Sequence, residues 1–413
     1  MRTAVCRSSY VILTICLAVP LMMGQSCWLL EALLPAGGSD TQQTTDDADS
    51  DGTNDGTDSD GTNDDTDSDG TTDDTDSDGT DDTADAPYEI LKLEGGESYA
   101  DTQATAINEQ GQVVGMQSSN GVFSALWTNG TSGSLWGRGT AADINDEGVA
   151  TGVDGDYADP LLSYNILPAV CLIDGVLHQL GATTGRNGSI PASINSDGDI
   201  VGVSYYRELG PFYTQSTNQE AFLYQNEQMT SLGTLTGDTT SYAHAINDQG
   251  QIVGISQGDA IHAFLWENGA MTELDTLDDL LTGGDTIAVL DLDINNEGQV
   301  LVSYRTTNGA SGAYIYENAA RTLLDDGFPT DGTVSATAIN DLGQVVGTID
   351  NASDWDGEGF LWEDGAVTAL LELLPDNTDW ESVNPRDIND AGQIVGVGEI
   401  DGDTRGFVMT PTE

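Results

Sequence analysis

The sequence is poor in basic residues. Of its 413 residues, 10 are Lys or Arg and 70 are Asp or Glu, which gives a formal net charge of -60 at pH 7. Lys92 is the only lysine, so a basic surface for nucleic acid or anionic lipid cannot be assembled. We therefore expect no nucleic-acid partner, and membrane contact only through an N-terminal anchor. Mutual repulsion on this scale favours a soluble monomer.

Cysteine and histidine are also scarce. The four cysteines are Cys6, Cys16, Cys27 and Cys171. Only the last lies in the repeated part of the chain, which excludes an internal disulfide or a cysteine-based zinc site there. The three histidines lack the spacing of metal ligands, and we expect structural roles for them: His178, His244 and His262. Without a G-x-S-x-G or H-E-x-x-H pattern, the sequence predicts no cofactor, and it favours a non-enzymatic protein.

Residues 1–27 have the layout of a bacterial secretory signal. Arg2 and Arg7 precede an apolar run over 10–23, and Gly, Gln and Ser follow it. The run is shorter than the roughly 20 residues that a membrane span needs. Cys27 directly after small residues resembles the lipobox of bacterial lipoproteins, which implies lipid attachment at Cys27. Ordinary cleavage near Cys27 is the alternative, so the chain is expected to be either extracellular or a cell-surface or outer-membrane lipoprotein.

Residues 28–86 form an acidic segment between this signal and the repeats. Nine-residue units such as DSDGTNDGT and DSDGTNDDT fill 49–84, without aromatic or basic residues. Such a composition cannot bury enough surface to offset chain entropy, which predicts a disordered, extended linker. D-x-D-G also resembles calcium-binding loops, but the spacing D-x-D-x-D-G and the closing Glu are missing. Weak calcium binding by the linker is therefore an alternative, without a defined site.

An Ile-Asn turn motif returns seven times in the remaining chain. Its asparagines are Asn108, Asn145, Asn195, Asn247, Asn295, Asn340 and Asn389. They are 37 to 52 residues apart, and a period in this range is typical of propellers or solenoids. In each copy, Asn begins a tight turn and Gly three residues later suits its left-handed position. We expect these residues to have structural rather than catalytic roles.

Each repeat divides into four short strands, as in a propeller blade. The seventh copy lacks a fourth strand at its C-terminal end, whereas YEILKL (88–93) precedes the first copy as a single strand. Joining the two predicts an all-β, seven-bladed β-propeller over 87–413, closed by its N-terminal strand. A Gly follows the Asn by seven positions in six copies, while the fifth has Val302. We expect a Trp or Phe to lie over this glycine.

The motifs HAFLWENG (262–269) and AINDQGQIVG (245–254) together resemble the extracellular HAF repeat family. The resemblance covers about residues 88–413, although the literal His-Ala-Phe triplet appears once. It implies secretion and a repeat fold. The family carries no catalytic residues that can be transferred to this sequence.

Connections between strands vary in length in a regular way. Those joining strands one to two and three to four are short, and nearly all long ones join strands two to three or four to one. Long loops should therefore cluster at one end, where binding usually occurs. The candidate ligand-binding residues there are Tyr205, Tyr206, Arg207, Trp355 and Trp380.

These features predict a module that binds a glycan or an extracellular protein. A polysaccharide hydrolase or lyase with carboxylates in the central funnel is the first alternative. A structural surface protein that holds cations is the second.

Overall fold

A computed structural model describes residues 86–96, 101–119, 121–155, 168–207, 217–275, 287–307, 309–324, 332–351 and 357–412. The predicted signal, Cys27 and the linker up to residue 85 lie outside the described residues. Within the described ranges, no helix has the length and apolar character needed to cross a membrane.

The described chain is all-β apart from a single-turn 3₁₀ helix at Leu370–Leu373. Seven antiparallel strands, β2 to β8, make one sheet. They are β2 (Asp101–Ile107), β3 (Gln112–Ser118), β4 (Val122–Thr128), β5 (Thr131–Ile144), β6 (Ala150–Asp154), β7 (Ala169–Ile173) and β8 (Val176–Gln179). The first half of β5 pairs with β4 and its second half with β6. This sheet therefore consists of two four-stranded groups that share one long strand.

The other five sheets have four antiparallel strands each. The first comprises β9 (Gly188–Ile194), β10 (Ile200–Tyr206), β11 (Thr217–Gln225) and β12 (Gln228–Gly233). The second comprises β13 (Thr240–Ile246), β14 (Ile252–Gln257), β15 (Ile261–Glu267) and β16 (Ala270–Asp275). The third comprises β17 (Ile287–Ile294), β18 (Val300–Thr306), β19 (Ser311–Glu317) and β20 (Ala320–Leu323). The fourth comprises β21 (Gly332–Ile339), β22 (Val345–Asn351), β23 (Glu358–Glu363) and β24 (Ala366–Ala369).

The last sheet joins the two ends of the repeated chain. It contains β25 (Trp380–Ile388), β26 (Ile394–Ile400), β27 (Asp403–Pro411) and the N-terminal strand β1 (Tyr88–Leu93). β1 pairs with β27 from Tyr88 opposite Pro411 to Leu93 opposite Gly406. The prediction that YEILKL joins the C-terminal hairpins is confirmed.

Apolar side chains pack between neighbouring sheets. One cluster combines Leu93 and Val395 of the last sheet with Ala104 and Trp127 of the first repeat. Another combines Val203, Val253 and further residues of three successive repeats. Both faces of the sheets are therefore covered, which agrees with the nearly continuous apolar runs of their central strands.

The strand that ends at each asparagine turn is called the inner strand of its repeat. The inner strands are β2, β5, β9, β13, β17, β21 and β25, and each contacts the next, with β25 contacting β2. They surround an axial channel. The end of this channel that carries the asparagine turns is called the ring end. The opposite end is called the loop end. There, strand two of each repeat is joined to strand three, and strand four is joined to the first strand of the next repeat.

A β-bulge in the inner strands explains the recurring glycine. In the fourth repeat the bulge falls at His244, between Ala243 and Ala245 in the pairing with β14. A Cβ added at Gly254 would lie 2.1 Å from the carbonyl oxygen of Tyr242 and 2.7 Å from the Phe264 ring. The prediction named only an aromatic neighbour, whereas the bulged backbone makes the closer approach.

The fifth repeat, with Val302 in place of glycine, has its bulge elsewhere. The register shift there lies between Val289 and Asp291, two residues earlier relative to the asparagine. The shift buries Leu292 and leaves Asp291 partly exposed. The absence of glycine at one copy therefore marks a real change in the inner strand.

Candidate functional site

A closed circle of asparagine side chains surrounds the axis at the ring end. Each of the seven asparagines donates its side-chain N–H to the backbone carbonyl of the asparagine in the following repeat, at 2.9–3.1 Å. The last of these bonds runs from Asn389 to Asn108 and closes the circle. Each Oδ1 accepts the N–H four residues later, as in the Asn108 to Gln112 bond of 2.9 Å. One residue type thus fixes both its own turn and the contact between repeats.

The residue after each asparagine adds further bonds between repeats at the same end, and six of the seven backbone N–H groups at this position donate to the side chain at the same position of the following repeat. Glu109 N donates to Asp146 Oδ1 at 3.0 Å, and Asp390 N donates to Glu109 Oε1 at 2.8 Å. Burial raises the pKa of Glu109 and of Asp390, and repulsion from neighbouring carboxylates adds to that rise. The bonds to backbone N–H groups oppose it. This end of the channel is therefore strongly acidic.

Three aspartates occupy the same place in their repeats, two residues before the asparagine. They are Asp143, Asp293 and Asp387. Asp387 accepts the Ile388 N–H at 2.8 Å and the Ile107 N–H of the first repeat at 2.9 Å. The other two aspartates bridge their own repeat and the next in the same way, at 2.8 and 2.9 Å. Each carboxylate therefore clamps two adjacent inner strands.

The channel walls perturb these three carboxylates. Burial raises the pKa of Asp143 and of Asp293 to about 6, and that of Asp387 to about 7. Repulsion from Asp143 raises the pKa of Asp387 further, while the bonds from backbone N–H groups lower all three. The side chains keep partial contact with the channel solvent. Protein nevertheless surrounds much of each carboxyl group, and this environment disfavours the charged form.

An odd number of repeats leaves one isoleucine N–H without a clamp of this kind. The three aspartates accept hydrogen bonds from the backbone N–H groups of six of the seven isoleucines that directly precede the asparagines. The seventh belongs to Ile246, and the two positions from which a carboxylate would reach it hold Ser193 and Ala245. The fourth repeat is therefore the exception in this part of the channel.

Two of the predicted ligand-binding aromatics are buried. Tyr205 is 5 % exposed, and its ring fills the space beside Gly188. Trp380 is 7 % exposed and packs edge-on against Phe407, with ring centroids 5.8 Å apart. Both rings cover the ends of their own sheets and expose only a small part of their surface. The remaining edge of Trp380 lines a groove of about 400 Å³ with Asn377.

The other predicted residues have different positions. Tyr206 lies at the end of β10, at the loop end, and is 43 % exposed. Arg207 follows it, and its backbone is held by Asn187, which donates to the Arg207 carbonyl at 2.7 Å and accepts its N–H at 2.8 Å. Trp355 lies outside the described residues. Within the described ranges, no group of three or more His, Cys, Asp or Glu side chains is placed to hold a metal ion.

Known proteins are similar to this chain in fold but not in sequence. No protein-family model matches the sequence, and no curated protein matches it. A puromycin-hydrolyzing peptidase of Mycobacterium tuberculosis is similar with a TM-score of 0.51 and 10% identity, over 76% of this chain and 51% of that chain. This chain thus spans about half the length of that peptidase.

Two further solved structures are similar at lower scores. YCF48 bound to a D1 peptide has a TM-score of 0.46 and 9% identity, over 79% of this chain and 97% of that chain. The β-propeller domain of the Trilobed protease from Pyrococcus furiosus has a TM-score of 0.35 and 12% identity, over 66% and 98%. The chain has an all-β, β-propeller-like fold.

Proposed function

We propose that this chain is an exported, seven-bladed β-propeller that binds a glycan or an extracellular protein at its loop end, without catalysing a reaction. The blade count is supported by the seven asparagines, whose hydrogen bonds return to the first repeat after the seventh. Export is supported by the signal-like N-terminus, and the HAF repeat resemblance points the same way.

The observation that carries the binding proposal is the difference between the two ends. At the ring end, every repeat has the same Asn turn, held by the same hydrogen bonds. Hairpins such as Asn268-Gly269 at this end are equally short, with both residues at positive φ. At the loop end, the segments between strands differ in length and sequence from repeat to repeat. Variable segments on a rigid scaffold are typical of binding surfaces.

Tyr206 is the described residue best placed to contact a ligand. Its ring is exposed at the loop end, and the paired hydrogen bonds between Asn187 and Arg207 hold the adjoining backbone. A fixed aromatic ring beside polar groups suits stacking on a sugar or packing against a protein. Trp355 is proposed as a second contact from its place in a long connection of the sixth repeat.

Binding to an array of glycans and extracellular proteins tests this proposal. We expect Tyr206→Ala and Trp355→Ala to weaken binding of the captured ligand at least fivefold, because each removes a large contact surface. Leu342→Ala is the matched control, since Leu342 is 69 % exposed in a turn at the ring end. Equal binding by all three variants, or loss in Leu342→Ala alone, would place the binding surface elsewhere.

A polysaccharide-cleaving activity is the second candidate. It is favoured by the raised pKa values of the channel aspartates, because shifted carboxylates are common in active sites. Against it, both oxygens of Asp387 already accept backbone N–H groups. Release of reducing sugar by the purified protein, lost in Asp387→Asn with the fold intact, would favour the enzyme over the binding module.

A further inference from the structure

Arg386 is a charged side chain of the inner strand β25. It sits at the bulge of β25, in the position that His244 has in β13. Its guanidinium forms no hydrogen bond or ion pair with any residue in the described ranges. Burial lowers the pKa of Arg386, and the charge of Asp291 opposes this. Because Asp291 belongs to the fifth repeat and Arg386 to the seventh, this charge acts on Arg386 from a repeat that is not adjacent to its own.

His244 presents a second unused group in the same part of the channel. Its Nδ1 lies 3.3 Å from Asp291 Oδ1, and its side chain is 5 % exposed. Its Nε2 is buried and has no hydrogen-bond partner among the described residues. Two residues later on β13 is Ile246, the one isoleucine whose N–H is not reached by a clamping aspartate.

A buried polar atom such as His244 Nε2 is costly inside a protein unless it meets a hydrogen-bond partner, whereas the partly exposed Arg386 side chain can meet a ligand from the channel. A guanidinium offers five N–H donors and suits a carboxylate, which it can bind through two parallel bonds. The Nε2 atom donates when the imidazole is protonated and accepts when it is neutral, so it suits a carboxylate or a hydroxyl. The nearby aspartates supply acceptors for hydroxyl or ammonium groups.

We propose that Arg386, His244 and the Ile246 N–H form a binding site in the channel for a small carboxylate that also carries hydroxyl or ammonium groups. This site is separate from the macromolecular ligand proposed for the loop end. Arg386 holds the ligand carboxylate, and Asp291 orients the His244 ring through Nδ1. Arg386 and His244 precede the aspartate position along their strands and the Ile246 N–H follows it, so the site lies beside the clamping aspartates in the channel.

The charge of the channel sets the pH dependence of this site. The titratable and charged groups of the inner strands that face it are Asp143, His244, Asp291, Asp293, Arg386 and Asp387. At the level of Arg386 and His244, β2, β9 and β21 contribute the neutral residues Thr105, Ala192 and Thr337, and Ser193 lies at the level of the aspartates. Protonation of the aspartates with raised pKa values removes negative charge as the pH falls. An anionic ligand should therefore bind more tightly at pH 5.5 than at pH 8.

Titration calorimetry with acetate, glycolate and glycine tests the proposal, with ethylene glycol as the neutral probe and sodium chloride to fix the ionic strength. We expect saturable binding of glycolate or glycine that is tighter than that of acetate, and none of ethylene glycol. Arg386→Gln should lower the affinity about tenfold or more, and Arg386→Lys should lower it less, because lysine keeps the charge without the planar fork. Arg321→Gln is the matched control, since Arg321 lies over the Tyr314 ring on the outermost strand of its sheet.

Unchanged affinity in Arg386→Gln, equal loss in Arg321→Gln, or no saturable binding by the wild-type protein would overturn the proposal. Circular dichroism and thermal unfolding show whether Arg386→Gln is folded. If it is not, His244→Gln provides the test, and the same fall in affinity is expected. Binding at the loop end should be unaffected by either variant, which separates this site from the proposed function.

Discussion

The ring end and the loop end of this molecule are stabilised in different ways. At the ring end, the same residue types recur in every repeat, and their side chains bond to the next repeat as well as to their own turn. At the loop end, contacts are individual, such as the Arg186–Glu220 ion pair and the His262–Asp238 pair. Repetition at one end keeps the repeats in register, and variety at the other leaves the connecting segments free to differ.

This contrast indicates where sequence change is tolerated. A bond that closes a circle of repeats has no substitute, because its loss opens the contact between two repeats. A contact between one strand and its own connecting segment affects that segment alone. We therefore expect substitutions at the ring end and in the inner strands to act on stability, and those at the loop end to act mainly on binding.

The largest effect is expected where the inner-strand bulge meets β14. Gly254→Ala should destabilise the fold by about 3 kcal/mol or more, because its Cβ would lie 2.1 Å from the Tyr242 carbonyl oxygen. Backbone cannot yield there without disturbing the bulge. Denaturant unfolding followed by circular dichroism measures the loss.

Gly250→Ala is the control for this substitution. Gly250 adopts a φ of +72° at the ring end, and an added Cβ there would meet nothing within 4 Å. Its cost should be about 1 kcal/mol, which is the strain of a left-handed alanine. If Gly250→Ala costs as much as Gly254→Ala, the close approach is not the reason for the recurring glycine.

Opening the circle of asparagines should have the next largest effect. Asn389→Ala removes the bond to the Asn108 carbonyl and the bond from the Gln393 N–H, at 3.0 and 2.9 Å. We expect a loss of about 2–3 kcal/mol, since the first bond is buried and the second is partly buried. Asn377→Ala, the same substitution at an exposed loop-end position, should change stability by less than about 0.5 kcal/mol. Similar unfolding midpoints for the two variants would contradict the contrast between the ends.

The clamping aspartates predict greater stability in mild acid than in mild base. The folded-state pKa of Asp387 is about 7 and lies above the ordinary Asp value. The folded chain therefore binds this proton more tightly than the unfolded chain, and the stabilisation is lost as the pH rises through 7. For Asp387 we expect about 2 kcal/mol between pH 5 and pH 8.

Asp387→Asn should remove this part of the pH dependence, because asparagine does not titrate. Thermal unfolding of the wild-type protein and the variant at pH 5 and pH 8 measures the difference. Asp376→Asn, at an exposed position of the loop end, should retain the wild-type slope. A wild-type slope in Asp387→Asn would mean that the repulsion of the whole acidic chain, rather than the clamps, sets the pH dependence.

Much of the fold could be predicted from the sequence because its signals are local and repeated. Asn and Gly at fixed offsets specify a turn, and the unpaired strand YEILKL has one natural partner. The bonds between repeats could not be predicted in the same way. The donor at Asn108 and its acceptor at Asn145 are 37 residues apart. Neither turn motif contains a feature that specifies the residue with which it forms this bond.

The channel residues were missed for a different reason. They vary between repeats, so they form no recurring motif when the seven copies are aligned. Two signals were present: three aspartates share one offset before the asparagine, and Val302 replaces a recurring glycine. The burial of the aromatic candidates Tyr205 and Trp380 was not predicted, because residues at the ends of a connection pack back on their own sheet. Exposure at such positions depends on backbone direction, which composition does not give.

The smallest effect is expected for the loop-end pair of His262, the histidine of the His-Ala-Phe triplet. Its Nδ1 lies 3.1 Å from Asp238 Oδ2, and its side chain is 33% exposed. The Asp238 side chain is only 6% exposed, but a single pair in which one partner is partly open to solvent contributes about 0.2–1 kcal/mol. We therefore expect His262→Ala to lower stability within that range, measured by denaturant unfolding, and less than Asn389→Ala does. A loss above that of Asn389→Ala would mean that the connecting segment held by Asp238 belongs to the scaffold, and that the division between the two ends is wrong in the fourth repeat.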